Sequence, residues 1–472
     1  MDCNVAFRIE KDFLGEMSVP ADAYYGVQTL RAVENFPITG FRIHKSLIIA
    51  MAMVKKAAAL ANVEVGYLDE RIGRYIAESA GEIIGGKYHD QFLVDPIQGG
   101  AGTSINMNTN EVIANIALEK MGLQKGDYAV ISPNTHVNMS QSTNDAVPTA
   151  AHICIRMLLN ELLDSMNEIK HTFCEKSKEF DHIIKMGRTH LQDAVPIRLG
   201  QELDAYARVF GRDIARITAC GQHLNEVNIG ATAVGTCLNA NQPYIDAVTK
   251  RLAEISGFPV WQAGSLVDST QNTDFYTEVS AALKVCAINI SKIANDLRMM
   301  ASGPRCGFYE INLPPRQPGS SIMPGKVNPV MAEVINQVCF QVIGNDQTIC
   351  LASEAGQFEL NVMAPVLIFN LIQSVCIMTN AFRVFNKYCL CGITVNEDRM
   401  KSYVDESIGT ITALNPYIGY EKATAIAREA LETGETVRDI CLRDNVLSAK
   451  QLDEILAPYA MTNPCNLRTA GG

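Results

Sequence analysis

The sequence predicts a mainly α-helical protein, on two observations. Three segments carry apolar residues at a strict spacing of seven, and few segments alternate apolar and polar residues with period two. Such spacing keeps one apolar stripe facing a partner over several turns, as in a bundle of long helices. At roughly 150 residues per domain, the 472 residues suggest about three domains, and a 47% hydrophobic composition supports a sizeable core. The 40 Lys+Arg against 51 Asp+Glu give a net charge of −11, which leaves no basic footprint for nucleic acid or an anionic membrane. A small anionic substrate remains compatible, because one local site can be basic inside an acidic chain.

Taken in order, the start MDCNVAFRIEKDF is charged within two residues and lacks the apolar core of a secretory signal. A helix is expected over 46–62. A second, over 74–84, runs into Gly81-x4-Gly86-Lys87, which has most of a phosphate-binding loop. Tyr88 replaces the residue that would hold magnesium, and a helix rather than a strand precedes it, so a glycine C-cap is the better reading. Polar loops follow at 99–110 and 140–145. The first seam is Ile155, Leu162 and Ile169, with Leu158 and Met166 between them. The second is Leu203, Phe210, Ile217 and Leu224. The third is Tyr276, Leu283, Ile290 and Leu297, interleaved by Val279, Cys286 and Ile293. A fourth long helix is expected from about Asn328. A fifth covers the uncharged run Leu360–Phe382, whose three Asn, one Gln and one Pro favour a buried helix over a membrane span. Shorter helices, broken at Asn415-Pro416 and Gly434, close the chain. The expected domains are 1–141, 142–395 and 396–472.

The 14 cysteines include no CxxC pair, the closest two being Cys389 and Cys391, and read as reduced core residues of a cytoplasmic protein. The sequons at Asn138 and Asn289 then carry no meaning. No HExxH or Cys/His cluster suggests a metal, and no G-x-S-x-G elbow is present.

Four segments are dense in small hydrogen-bonding side chains: Gly102–Asn110, Ser140–Asp145, Gly187–Asp193 and Gly319–Pro329. Taken singly, each fits a turn with a helix N-cap. Together, with His190 and Lys326 among them, they can supply donors, helix N-termini and a cation to a small dianion. In the last, glycines at both ends let backbone amides approach a ligand and let the loop move.

GSSIMPGKVNP at 319–329 resembles the signature of the fumarase/aspartase superfamily, whose members eliminate a group β to a carboxylate and release fumarate. The similarity continues through VPADAYYGVQTLRA (19–32), GGAGTSINMNTNE (99–111), HVNMSQSTNDAVPTA (136–150), KMGRTHLQDAVP (185–196), GATAVGT (230–236) and TALNPYIGY (412–420). Ser142-Thr143, Val330, the run Ile335–Val338 and Tyr24–Val27 place it nearer the aspartase branch than class II fumarases; His190, common to both, does not discriminate. Ala364, Cys237 and Cys306 depart from the family pattern, outside the four polar segments.

The resemblance implies a carbon–nitrogen lyase that reversibly eliminates ammonia from L-aspartate to give fumarate, through an aci-carboxylate and without a cofactor. Ser320 would be the base at Cβ, with His190 the second candidate. Thr103, Ser142, Thr143 and Ser321 would bind the β-carboxylate, and Lys326 and Asn328 the α-carboxylate. Asn144, Thr189 and His190 would surround the departing amine. It implies three mostly helical domains and a homotetramer whose central helices merge, each active site drawing loops from three subunits. The alternatives are fumarate hydration and, more distantly, a non-catalytic helical scaffold.

Overall fold

The computed structural model describes residues 6–464. A short hairpin, β1 (Phe7–Asp12) and β2 (Gly15–Pro20), precedes α1 (Val27–Asn35), α2 (Lys45–Glu64), α3 (Glu70–Ile84) and α4 (Thr103–Lys120). Then come α5 (Thr143–Glu179), the hairpin β3 (Ile184–Thr189) and β4 (Gln192–Arg198), and α6 (Leu199–His223). They are followed by α7 (Gln242–Ser256), α8 (Leu266–Gln271), α9 (Asp274–Met300), α10 (Val330–Glu354) and α11 (Ala364–Tyr388). Short helices complete the described chain: α12 (Glu397–Glu406), α13 (Ile411–Ile418), α14 (Tyr420–Thr433), α15 (Val437–Arg443), α16 (Ala449–Ile455) and α17 (Pro458–Thr462). The architecture is mainly α, as the heptad seams predict. Every seam residue from Ile155 to Leu297 is buried, including Leu162, Phe210, Leu283 and Ile290 at zero exposure.

The chain forms two compact units. The first contains, of the described residues, 6–163, 215–287 and 340–379. Within it, α2 packs on α3 and α7. Asp346 of α10 accepts from Ser280 Oγ (2.7 Å) and Lys284 Nζ (2.6 Å) of α9, and Asn345 Nδ2 donates to Ser374 Oγ of α11 (3.0 Å). The second unit contains, of the described residues, 164–214, 288–339 and 380–464. There Phe210 of α6 meets Phe382 of α11 edge to face at 5.6 Å, and Asn289 of α9 donates to both oxygens of Asp213 on α6. Leu414, Ile426, Ile440 and Leu452 give the C-terminal helices their own small core.

Three expectations need correction. The polar segment 99–110 is a loop only to Gly102, because Thr103 starts α4. Asparagine disfavours helix interiors, but here tertiary partners accept from the Nδ2 groups of Asn106 and Asn110 and bond both ends of the Asn108 amide. Asn108 donates to Gln91 O and accepts from Leu93 N, both at 3.1 Å. The segment 187–193 is a hairpin tip. β4 is exposed at Gln192, Asp193 and Val195 and buried only toward its end, at Pro196 and Arg198, and β3 buries the consecutive Lys185 and Met186, so the strands lack the regular alternation that would announce them. Asn415-Pro416 lies inside α13, and the break falls at Gly419. Two helical stretches, Lys45–Glu64 and Ala364–Gly392, are long and apolar enough to span a membrane, yet 78% and 67% of their apolar windows are buried within the protein, as in core helices of a soluble protein.

Candidate active site

In the first unit, two helix N-termini carry the predicted polar residues. Gly100, Ala101 and Gly102 all have positive φ, a turn that delivers Thr103 as the exposed first residue of α4. Thr103 Oγ1 donates to Gly100 O at 2.7 Å. At the other start, Ser142 Oγ accepts from Asn144 N (3.2 Å), while Ser142 N donates to Asp145 Oδ1 (2.9 Å). This reciprocal cap leaves the hydroxyl hydrogen of Ser142 free to donate.

The turn is locked onto the GATAVGT segment. Asp145 Oδ2 accepts from Gly230 N (3.1 Å) and Thr232 N (3.0 Å), and Asn144 Nδ2 donates to Ala233 O (2.8 Å). With its donor engaged there, Asn144 retains an acceptor oxygen. Asn144 also lines a cavity of about 490 Å³ with His152, Asp268 and Asn361. Burial pushes His152 down to about 4, so its ring is neutral at neutral pH.

Beneath this turn lies a group that the sequence reading missed. Lys55 of α2 is fully buried and donates to Asn138 Oδ1 (3.0 Å) and Gln141 Oε1 (2.8 Å). Burial pushes its ammonium down to about 7, against the attraction of Asp145. Asp145 is in turn pushed up to about 6 by burial, opposed by the amides of Ser142, Thr232 and Gly230 and by Lys55. The signal was present in the sequence: Lys55 falls on the buried face of α2 with Met51, Ala52, Ala58 and Ala59.

In the second unit, Thr189 and His190 sit at the tip of the β3–β4 hairpin. Thr189 pairs with Gln192, and His190 and Leu191 form the two-residue turn with φ of 55° and 59°. Both predicted residues are exposed. The base of the hairpin is clamped. Lys185 meets Glu202 at 2.9 Å and Glu310 at 3.1 Å, and Arg188 also lies 4.2 Å above the Phe308 ring.

The signature loop is pinched at its neck. Gly319 N donates to Lys326 O (2.7 Å), and Asn328 Nδ2 donates to Gly319 O (2.9 Å). A Cβ on residue 319 would lie 2.7 Å from Lys326 O, so only glycine fits. Asn328 Nδ2 keeps a second hydrogen for another acceptor. Ser320 Oγ accepts from Ile322 N (3.2 Å) and Met323 N (3.1 Å), so two backbone dipoles point at this oxygen. Ser321 and Lys326 are exposed, and Lys326 and Asn328 line a cleft with Arg298 and Glu333.

Thus the structure brings Thr143 and Asn144 together with Ser142 in one unit, and gathers Ser320, Ser321, Lys326 and Asn328 in one loop of the other, where Thr189 and His190 share a separate turn. No group of three or more His, Cys, Asp and Glu side chains is arranged to hold a metal ion among the described residues.

The sequence profile of a family described as "Lyase" matches residues 15–344, and one described as "Fumarase C C-terminus" matches residues 411–463. An aspartate ammonia-lyase of Bacillus subtilis (strain 168) is 67% identical over 97% of this chain and 96% of its own. The aspartate ammonia-lyase of Escherichia coli (strain K12) is 49% identical, again over 97% and 96%. Among solved structures, the fumarate lyase:delta crystallin of Brucella melitensis superposes with a TM-score of 0.95 at 46% identity, covering 97% of this chain and 100% of that one. The class II fumarase of Schistosoma mansoni gives 0.93 at 32% identity, covering 98% and 100%. The similarity in sequence and in fold thus runs over nearly the whole chain, and the chain belongs to the fumarase/aspartase family of lyases.

Proposed function

We propose that this protein is an aspartate ammonia-lyase, a carbon–nitrogen lyase that converts L-aspartate to fumarate and ammonia and runs in reverse. The observation that carries the elimination chemistry is the pair of backbone N–H groups directed at Ser320 Oγ. A serine hydroxyl is a weak base, and its alkoxide needs such stabilisation to take a proton from carbon. The choice of aspartate follows the relatives, several of which carry that name at 49–67% identity.

Ser320 as alkoxide takes the Cβ proton, and the electron pair moves into the adjacent carboxylate to give a dianionic aci-carboxylate. The pair then returns to form the C=C bond as the Cα–N bond breaks and ammonia leaves. The serine proton passes to solvent or to the released ammonia, so L-aspartate yields fumarate and ammonium. The dianion requires donors placed where charge develops, often the largest catalytic contribution. Ser142, Thr143, Thr103 and Ser321 supply these donors at the β-carboxylate. Lys326 and the second hydrogen of Asn328 hold the α-carboxylate. The free oxygen of Asn144, with Thr189 and His190, receives the amine. Movement of the exposed 319–326 loop would bring Ser320 to Cβ and exclude water.

The reading includes a homotetramer with active sites shared between subunits, in the cytoplasm. Exposed apolar residues on the long helices, among them Ile288, Phe340 and Leu351, favour burial against further copies. The test follows the ultraviolet absorbance of fumarate from L-aspartate and L-malate in parallel. Aspartate turnover is expected; malate turnover alone would assign the chain to the hydratases.

A further inference from the structure

The amide cage beneath Thr143 has a polarity set by Asn138 and Gln141, each fixed by donation to backbone carbonyls, while the Oδ1 atoms of Asn106 and Asn110 are buried without a partner among the described residues. Asn138 Nδ2 donates to the backbone carbonyl of Gln141 (3.1 Å), which can only accept. The other atom of that amide is therefore the oxygen, and it takes Lys55 Nζ (3.0 Å), Asn106 Nδ2 (3.1 Å) and Asn110 Nδ2 (3.1 Å). The Lys55 end is fixed independently. Gln141 Nε2 donates to the carbonyls of Val137 and Met139, so its oxygen faces Lys55.

An oxygen on Asn138 obliges Asn106 to present its nitrogen. The same Nδ2 reaches Thr143 Oγ1 at 3.3 Å with its second hydrogen. The threonine oxygen thus accepts from inside the cage, and its own hydrogen has no protein acceptor among the described residues. Asn106 is 2% exposed and Asn110 and Lys55 are fully buried, so water does not compete freely for this arrangement.

We propose that Asn106 is a positioning residue for the lyase reaction: it occupies the inward lone pair of Thr143 and turns the threonine hydrogen out of the cage, toward the substrate carboxylate oxygen that gains charge. The inference rests on the reading that Thr143 touches that carboxylate. A hydroxyl already turned outward needs no reorientation as the aci-carboxylate forms, which is the physical content of preorganisation. Asn110 serves as an internal comparison. It shares Asn138 Oδ1 and burial with Asn106 but does not touch Thr143.

The experiment is a double-mutant cycle on the full chain, with assembly checked by sedimentation, using Asn106→Asp, Thr143→Val and both together. A carboxylate at 106 cannot donate to Thr143 and would draw the threonine hydrogen inward. Asn106→Asp should lower kcat/KM by about 10- to 100-fold, the weight of one hydrogen bond to a charged group. In the Thr143→Val background the same change should cost no more than about twofold, because the hydroxyl it orients is gone. Asn110→Asp should cost the same factor in both backgrounds. Asn106→Ala is run beside Asn106→Asp, so a folding failure of one leaves the cycle readable in the other.

If Thr143→Val is impaired and Asn106→Asp multiplies that loss in full, the positioning role is overturned while the substrate contact of Thr143 stands. If Thr143→Val turns over normally, both are overturned. Coupling of Asn110→Asp to Thr143 as strong as that of Asn106 would also overturn the role, since it would signal general collapse of the cage.

Discussion

Arg188 Nη1 lies 2.7 Å from Glu310 Oε1, and each partner neighbours a segment bearing proposed site residues. Arg188 immediately precedes Thr189 and His190 at the hairpin tip, and Glu310 immediately precedes the two-residue bridge Ile311–Asn312 on the path to the signature loop. Glu310 is fully buried, so its charge is balanced by protein cations rather than by water.

Removing that carboxylate takes the ion-pair partner from Arg188 and leaves Lys185 with Glu202 alone as its ion-pair partner among the described residues. Glu310→Ala is expected to cost about 3–5 kcal/mol of stability, as for one partner of a buried ion pair. A urea unfolding curve checks this, and a loss below about 1 kcal/mol would show that the cations find other partners.

Ser320→Ala separates chemistry from binding. Turnover should fall by about 10²–10⁴-fold, the usual weight of a positioned base, while affinity for a four-carbon dicarboxylate analogue stays near that of the parent. Near-normal turnover in a folded variant would remove Ser320 as the base.

His190→Gln is then the informative comparison. Glutamine can still hydrogen-bond an amine but cannot take a proton, so most activity should survive. A loss as deep as that of Ser320→Ala would make the imidazole the base instead.

Lys326→Ala should weaken the same analogue by about 10- to 100-fold, corresponding to roughly 1.5–3 kcal/mol for a charge-assisted contact. Calorimetric titration reads this directly. Unchanged affinity would place the α-carboxylate elsewhere.

Lys55 predicts a pH dependence of stability. Its folded value near 7 lies below the ordinary 10.5, so between these limits the unfolded chain binds more protons at this site. Stability from this group therefore rises with pH from about 7 toward 10.5. Compared with Lys55→Met, the parent should gain ground steadily from pH 7 to about 9.5 in denaturant titrations. A constant gap would mean that Lys55 stays charged in the folded protein.

Much of the fold was legible because periodicity reports burial directly. Leu162, Phe210 and Leu283 appear at helical spacing since only one helix face can be covered. The asparagines at 106, 108 and 110 misled for the converse reason: local preference is read along the chain, whereas the Asn108 amide is bonded by Gln91 and Leu93 and the Nδ2 groups of Asn106 and Asn110 by Asn138, distant in sequence. The hairpin of His190 was hidden because its strands do not alternate: Lys185 and Arg198 are buried while Val195 is exposed. Of the site, the signature loop and the Ser142–Asn144 start could be read from composition and order, but the supporting cage could not. Lys55 and Asn138 are 83 positions apart, and nothing in either local segment names the other.

The pinched neck between Gly319 and Lys326 also has a consequence for handling the protein. It isolates a short exposed lobe that carries Ile322 at 84% exposure and Met323 at 48%. Lys326 is exposed at the base of this lobe, so a protease that cleaves beyond lysine reaches its bond once the neck to Gly319 opens, in the kind of solvent-facing segment where nicking concentrates. Limited digestion becomes a gauge of the lobe's state: a dicarboxylate that draws Lys326 inward should slow this cut while leaving cleavage at other exposed lysines unchanged.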